Sequence, residues 1–240
     1  MNRQLYVSAV LPVVLVLAGC MQTDNQVAEP AATSTTEATL MAPYPQADRE
    51  VLEAAKEGDV VKVAAALSTG VNVEATDDFA RTPLLWAVTN NHVEAARLLL
   101  EAGASPDAVD RQQDTPWLVT GVTGSVPMAQ LLLEYHPDLT LKNRYGGIAI
   151  IPASERGHVE YVRAMAHSGM DLNHVNDLGW TALLEAVYYG DGSKPYQEIV
   201  QILLDAGADP GIKDSQGLVA LDHARSKGQT EIVQILQSHS

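Results

Sequence analysis

The sequence is short of cysteine, of aromatic residues and of positive charge, and each shortage excludes a class of protein. Cys20 is the only cysteine among 240 residues, which excludes an intramolecular disulfide and any metal or redox site built on paired cysteines. The 15 lysines and arginines stand against 30 aspartates and glutamates, and the net charge of −15 repels phosphate backbones, so we expect no nucleic-acid partner. Aromatic residues make up 5% of a chain that is 46% hydrophobic, which predicts a mainly aliphatic core.

The N-terminal 19 residues are typical of a signal peptide. Arg3 precedes an apolar run from Tyr6 to Gly19, which is shorter than the roughly 20 apolar residues that span a bilayer as a helix. The run ends in Leu-Ala-Gly and then Cys20, a string that resembles the lipobox of bacterial lipoproteins. An ordinary cleavable signal peptide is the alternative. We predict a signal peptide over residues 1–19.

The lipobox resemblance implies where the protein is attached and which way it faces. In that family the cysteine thiol receives a diacylglyceryl group and the chain is cut just before it, so Cys20 becomes the lipidated first residue. Met21 follows, and the absence of aspartate there implies sorting to the outer membrane, on its periplasmic face. Residues 20–47 are rich in Ala, Thr, Pro, Ser and Gln, which predicts a disordered tether with an end-to-end distance of about 30 Å.

From residue 48 onward the sequence repeats every 33 residues. Thr82-Pro83 and Thr115-Pro116 mark the period, and a turn marker keeps the same register at Gly58, Asn91, Gly124, Gly157 and Gly190. One insertion of five residues, 191–195, then shifts every marker together. Such a period indicates stacked units, each of which buries its apolar face only against its neighbours.

These markers, with Leu-Leu-Leu runs that a glycine follows, resemble the ankyrin repeat. The resemblance implies an all-α repeat solenoid of about six repeats over residues 48–240, built of helix pairs with β-hairpin loops. The histidine of the usual T-P-L-H string is replaced by apolar residues such as Leu85, which predicts apolar packing there. Gly121 is expected to weaken one inner helix, and Pro152 is expected to interrupt the next.

Nothing in the sequence indicates catalysis. It contains no H-E-x-x-H, G-x-S-x-G or P-loop string, so we predict no enzyme and no cofactor. His92 and His158 occupy the same turn position of the repeat, which favours a structural role at a helix start. His174 and His223 could meet across repeats, but without ligands at helical spacing we predict no metal site.

The remaining chemistry is recognition. The resemblance implies that hairpin tips and inner helices line a concave groove, and Trp, Tyr and Arg there are typical of binding hot spots. A framework role is the alternative for Trp86 and Trp180. The insertion 191–195 is the alternative binding site, and we expect it to lengthen the turn between two helices. The predicted partner-binding residues are Phe79, Arg81, Trp86, Arg111, Asp114, Arg144, Tyr145, Trp180, Glu185 and Tyr189.

Together these features predict a monomeric periplasmic lipoprotein that captures one protein partner in its groove. Two roles follow from resemblance. Some lipid-anchored relatives are similar to immunity proteins that neutralise a toxic effector in the periplasm, and the lipid anchor favours this role. Other periplasmic ankyrin proteins are associated with catalase and protection against oxidative stress, and an accessory role of that kind is the alternative.

Overall fold

A computed structural model describes residues 45–239 of the protein. The predicted signal peptide, Cys20 and nearly all of the predicted tether therefore lie outside the described residues. The described part holds twelve α-helices and no β-strand. Within residues 45–239, every helix is too short or too polar to cross a membrane.

The helices form two layers of six, one helix of each layer per repeat. The inner helices pack on one another in series, the outer helices do the same, and the two helices of each repeat pack together. The inner helices are α1 (Gln46–Glu57), α3 (Pro83–Thr89), α5 (Pro116–Thr123), α7 (Ile150–Glu155), α9 (Ala182–Tyr189) and α11 (Ala220–Ser226). The outer helices are α2 (Val60–Ser68), α4 (Val93–Glu101), α6 (Val126–Leu133), α8 (Val159–Met165), α10 (Lys194–Asp205) and α12 (Thr230–Ser238). The all-α solenoid of six repeats is confirmed.

Three of the inner helices, α3, α5 and α9, start at the threonines of the repeat pattern. The Thr82 hydroxyl accepts a hydrogen bond from the Leu85 N–H at 3.2 Å, and Thr115 caps α5 in the same way at 3.1 Å. These caps satisfy N–H groups that have no acceptor inside the helix. Leu85 is buried where the usual pattern has histidine, so apolar packing at that position is confirmed.

A hairpin loop precedes five of the inner helices and projects from the same side of the stack. Each loop is closed by a backbone hydrogen bond, such as that from the Asp77 N–H to the Arg81 carbonyl at 3.1 Å. Successive loops are also joined, because the Arg111 N–H donates to the Phe79 carbonyl at 2.9 Å. These bonds hold the loops in register without making strands, so the expected β-hairpins are turns in the described chain. The loops span 77–81, 110–114, 143–147, 176–180 and 214–218.

Two expectations about the inner helices need correction. Pro152 does not interrupt α7, because the helix begins only at Ile150 and the proline lies in its first turn, where a backbone N–H has no helical acceptor. Gly121 has a packing role as well as a low helix propensity. A Cβ atom on Gly121 would lie 1.9 Å from the carbonyl oxygen of Ala149, so the close contact between the α5 and α7 segments requires glycine.

The five-residue insertion mainly lengthens a helix rather than a turn, which corrects the expectation of a longer turn. Helix α10 has 12 residues, against 7 to 9 in the other outer helices, and it begins at Lys194 within the insertion. Gly190 has a φ of −62°, whereas its counterparts in the other repeats have φ between 59° and 75°. Tyr196 takes the register of the turn histidines, and its hydroxyl donates to the Glu155 carbonyl at 3.0 Å.

Candidate partner-binding surface

We use the term inner face for the surface formed by the hairpin loops and the inner helices. All ten predicted partner-binding residues lie on these elements. Seven belong to the hairpin loops, and Trp86, Glu185 and Tyr189 belong to the inner helices α3 and α9. Their contacts divide them into residues held by the framework and residues left exposed.

The hairpin loop of the second repeat is organised by Asp77. One oxygen of its carboxylate accepts the N–H groups of Phe79 and Arg81, at 2.8 and 2.9 Å. Its other oxygen accepts the indole N–H of Trp86 at 3.0 Å. Trp86 therefore fastens its own hairpin loop to helix α3, which is the framework role left open by the sequence, while its ring stays partly exposed.

Arg81 connects two hairpin loops and stacks on two rings. Its Nε lies 3.4 Å from the carboxylate of Asp110 in the next loop. Its guanidinium lies 5.5 Å from the ring centre of Phe79 and 4.9 Å from that of Trp86. The arginine is thus held in place by its own chain, and Phe79 remains more than half exposed at the loop tip.

Arg144 makes the same kind of arrangement two repeats further on. Its Nη1 donates to Gln112 at 2.8 Å and lies 3.9 Å from the carboxylate of Asp114. Its guanidinium lies 4.9 Å from the ring centre of Tyr145, which is half exposed. Burial and the neighbouring Asp110 raise the pKa of Asp114, and Arg144 opposes this shift.

Arg111 differs from the other two arginines. Its backbone N–H joins neighbouring loops, but within residues 45–239 its exposed side chain makes no ion pair, side-chain hydrogen bond or ring contact. The guanidinium is therefore available to an acceptor outside the chain.

An aromatic cluster lies at the C-terminal end of the inner face. Trp180 contacts Tyr188 edge to face, with ring centres 4.1 Å apart, and Tyr189 lies 5.9 Å from Trp180. His223 of the last repeat closes the cluster, 5.6 Å from Trp180 and 5.4 Å from Tyr188. Tyr188 is not among the residues predicted from the sequence, although its position three residues after Glu185 puts it on the same helix face.

Glu185 is not one of the exposed positions, which corrects its placement among residues free to face the groove. Only 4% of its surface is accessible, and Asn176 donates a hydrogen bond to its Oε1 at 3.0 Å. Its Oε2 is buried with no hydrogen-bond partner. Burial, followed by the nearby charge of Glu155, raises the pKa of Glu185 to about 7.

Four histidines make contacts within the framework. His92 lies at the start of α4, with its Nε2 3.1 Å from the Lys56 carbonyl, and His158 makes the same contact with Val122. His223 Nε2 lies 2.7 Å from the carboxylate of Asp214, and His174 contacts the Gly146 carbonyl. Among residues 45–239 no three His, Cys, Asp or Glu side chains are grouped so as to hold a metal ion.

The two-layered helical stack, with loops projecting from one face, defines a repeat solenoid that presents an extended surface. The chain belongs to the ankyrin repeat family. The family model for ankyrin repeats (three copies) matches residues 51–143, 119–214 and 153–240. Ankyrin repeats generally mediate binding between proteins, and members of the family are typically interaction modules rather than enzymes.

Known proteins share this fold over most of the chain. The ankyrin repeat protein YahD of Escherichia coli K12 is 35% identical over 188 residues, which is 78% of this chain and 94% of YahD. The crystal structure of an ankyrin repeat domain from Acinetobacter baumannii AYE is 43% identical with a TM-score of 0.76, covering 79% of this chain and 96% of that domain. The ankyrin repeat domain of Bcl-3 is 26% identical with a TM-score of 0.70, covering 80% and 86% respectively.

Proposed function

We propose that this protein captures one protein partner on its inner face, while the lipid on Cys20 holds it at the periplasmic face of the outer membrane. The observation that carries the proposal is where the exposed apolar side chains lie. Between residues 45 and 239, the large exposed hydrophobic residues other than Val60 and Val61 lie in the hairpin loops, directly before one of them (Val109 and Val175) or at the end of α9. Exposed apolar groups gathered on one face are typical of an interaction site.

The residue types on this face suit recognition. The exposed rings of Phe79 and Tyr145 offer large contact areas, and aromatic residues and arginine are enriched among binding hot spots. Arg81 and Arg144 are already fixed by ion pairs and ring stacking, so they lose little freedom when a partner binds. Arg111 supplies a guanidinium that its own chain leaves unpaired.

The location and role are proposed from the sequence. The lipobox and the residue after it support the outer membrane, and the anchored protein acts as a monomer. A protein anchored to the membrane meets a membrane-attacking toxin at the place where the toxin acts. We therefore favour the role of an immunity protein over that of a catalase accessory. The product of a neighbouring gene, a secreted toxin or a catalase, is the partner to test first.

The test compares variants of the inner face with a matched variant of the outer layer. Tyr145→Ala and Arg111→Ala should each weaken binding of that partner by about 1–2 kcal/mol in a calorimetric titration, because both side chains are exposed on the inner face. Glu101→Ala, on the exposed side of α4, should leave affinity unchanged. Equal affinities for all three variants and the wild type would show that the partner binds elsewhere.

A further inference from the structure

The two halves of the inner face differ in whether a lysine or arginine of the chain lies over their aromatic rings. In the N-terminal half, each exposed ring carries a cation of its own chain. Arg81 lies over Phe79 and Trp86, and Arg144 lies over Tyr145. Such a contact is favourable because the face of the ring is electron-rich.

In the C-terminal half, two rings lack this cation. Within residues 45–239, no lysine or arginine lies over Trp180 or Tyr189, although the two rings are neighbours. Lys227 lies 5.7 Å from the ring centre of Tyr188. Its amine is held by backbone carbonyls at the end of α9, including that of Gly190 at 2.7 Å, so it is not free to move to the other rings.

Two carboxylates beside these rings also lack a cation. Glu185 precedes Tyr189 by one helical turn on α9, and Glu155 ends the adjacent inner helix α7. Neither carboxylate belongs to any ion pair in the described part of the chain, and Glu185 Oε2 has no hydrogen-bond partner. Helices α7 and α9 pack on each other, and burial, followed by the charges of Glu185 and Glu155, raises the pKa of the Tyr189 hydroxyl.

We propose that Glu185 and Glu155, with Trp180 and Tyr189 as an aromatic wall, receive a lysine or arginine side chain of the bound protein. This site is built like the N-terminal half of the inner face, except that the cation comes from the partner. The inference rests on the proposed function, and it adds that the partner presents a lysine or arginine side chain to this site. The protein's net charge of −15 also favours a partner with a basic segment.

The buried oxygen of Glu185 becomes accessible to a partner only when the side chains around it move. Tyr189 is 52% exposed and Tyr188 is 42% exposed, and exposed side chains change rotamer within nanoseconds. Once these side chains have moved, the incoming ammonium or guanidinium group stacks on the rings of Trp180 and Tyr189 and donates hydrogen bonds to Glu185 Oε2. The acceptor that is unpaired in the free protein is then satisfied in the complex.

Peptides that differ in one side chain test the site without the natural partner. The mature protein in detergent is labelled with 5-fluorotryptophan, and the Trp180 resonance is assigned with Trp180→Phe. Blocked pentapeptides with glycine flanks carry lysine, arginine or glutamine at the centre. We expect the lysine and arginine peptides to shift the Trp180 resonance saturably, and the glutamine peptide to leave it unchanged.

Two further measurements test whether Glu185 is the carboxylate that binds the cation. Glu185→Gln keeps the shape of the side chain and should weaken the basic peptides at least about five-fold, whereas Glu101→Gln on the outer layer should have no effect. The affinity of the wild type should rise between about pH 6 and pH 8, because a cation prefers the ionised carboxylate and the pKa of Glu185 is raised to about 7. Glu185→Gln keeps Glu155 and the other titratable groups beside the rings, His223 with Asp214 and Lys227, and should lose this rise.

The inference is wrong if no basic peptide shifts the Trp180 resonance, if glutamine binds as well as lysine, or if Glu185→Gln binds as the wild type does. The proposed function fails separately, when Tyr145→Ala and Arg111→Ala leave partner affinity unchanged. If Tyr145→Ala and Arg111→Ala weaken partner binding but the basic peptides do not bind, the protein binds its partner on the inner face without a basic side chain at Glu185.

Discussion

The indole N–H of Trp86 and the carboxylate of Asp77 are joined by a hydrogen bond of 3.0 Å, which ties an inner helix to the hairpin loop before it. The same position of the fifth repeat holds Glu185, which accepts a hydrogen bond from Asn176, and in the sixth repeat His223 contacts Asp214. Three different side chains thus make one connection. The loop residue opposite Glu185 is an asparagine, and an aspartate there would place two carboxylates together.

Replacing Trp86 with phenylalanine should therefore lower stability rather than act only on binding. The variant keeps an aromatic ring but loses the donor to Asp77, and we expect the free energy of unfolding to fall by about 1–2 kcal/mol. Urea denaturation followed by circular dichroism measures this. Tyr145→Ala, an exposed control on the same face, should change the free energy of unfolding by less than about 0.5 kcal/mol. Equal stability of Trp86→Phe and the wild type would mean that the bond is dispensable.

Glu185 should make the protein less stable as pH rises. The folded state raises the pKa of this carboxyl from 4.5 to about 7, so between these values the folded chain binds more protons than the unfolded chain. The free energy of unfolding then falls as pH increases through this window, by about 3 kcal/mol at most. Below about pH 4.5 this group does not make the free energy of unfolding depend on pH, and above about pH 7 the decrease in that free energy is complete.

Glu185→Gln isolates that contribution. The variant keeps an acceptor for Asn176 but carries no titratable group, so its unfolding free energy should depend less on pH than that of the wild type. It should also be the more stable protein near pH 8. Parallel curves for the two proteins between about pH 5 and pH 8 would contradict the prediction.

Gly121→Ala should be strongly destabilising despite adding a better helix former. The new methyl group would lie 1.9 Å from the carbonyl oxygen of Ala149, so α5 and the start of α7 must separate. We expect a loss of about 2–4 kcal/mol, measured by thermal unfolding. Gly211→Ala is the control, because its methyl group would meet only the exposed side chain of Asp209. A Gly121→Ala protein as stable as the control would show that the helices adjust without cost.

The membrane attachment is tested on Cys20. If the lipobox is used, intact mass of protein extracted from membranes should show a chain that begins at an acylated Cys20. Cys20→Ser should give an unprocessed precursor or a protein released from the membrane, because the thiol that receives the lipid is gone. A wild-type protein that is soluble, processed and unmodified would exclude the anchor.

The sequence predicted what depends on the period and left open what depends on contacts between repeats. Thr82 and Thr115 could be placed at helix starts because capping is local, and six repeats followed from the spacing of 33. The burial of Glu185 could not be predicted. Its repeat position shows no pattern that fixes burial, since the residues there are Trp86, Val119, Pro152, Glu185 and His223. The burial of Glu185 depends on contacts outside α9, such as the hydrogen bond from Asn176 in the preceding hairpin loop.

The insertion 191–195 is the alternative binding site, and its structure shows how it can be deleted to test this alternative. Lys227 and Gln229 of the last repeat bind the carbonyl of Gly190 at 2.7 and 3.0 Å, so the turn before the insertion is fixed by residues outside it. Deleting residues 191–195 removes the first two residues of α10 and brings Tyr196 next to Gly190, in the register of the turn histidines. We expect the deleted protein to fold, with a change in unfolding free energy of about 1 kcal/mol or less.

The backbone conformation of Gly190 shows whether the deletion restores the regular turn between the two helices. With the insertion present its φ is −62°, but with 33-residue spacing restored it should adopt the positive φ of its counterparts, such as 75° at Gly157. Gly190→Ala in the deleted protein should then cost about 1 kcal/mol more than the deletion alone, since alanine is strained at positive φ. Partner affinity should survive the deletion, because the inner face is left intact. Lost affinity in a folded deletion protein, together with normal binding by Tyr145→Ala and Arg111→Ala, would move the site from the inner face to the insertion.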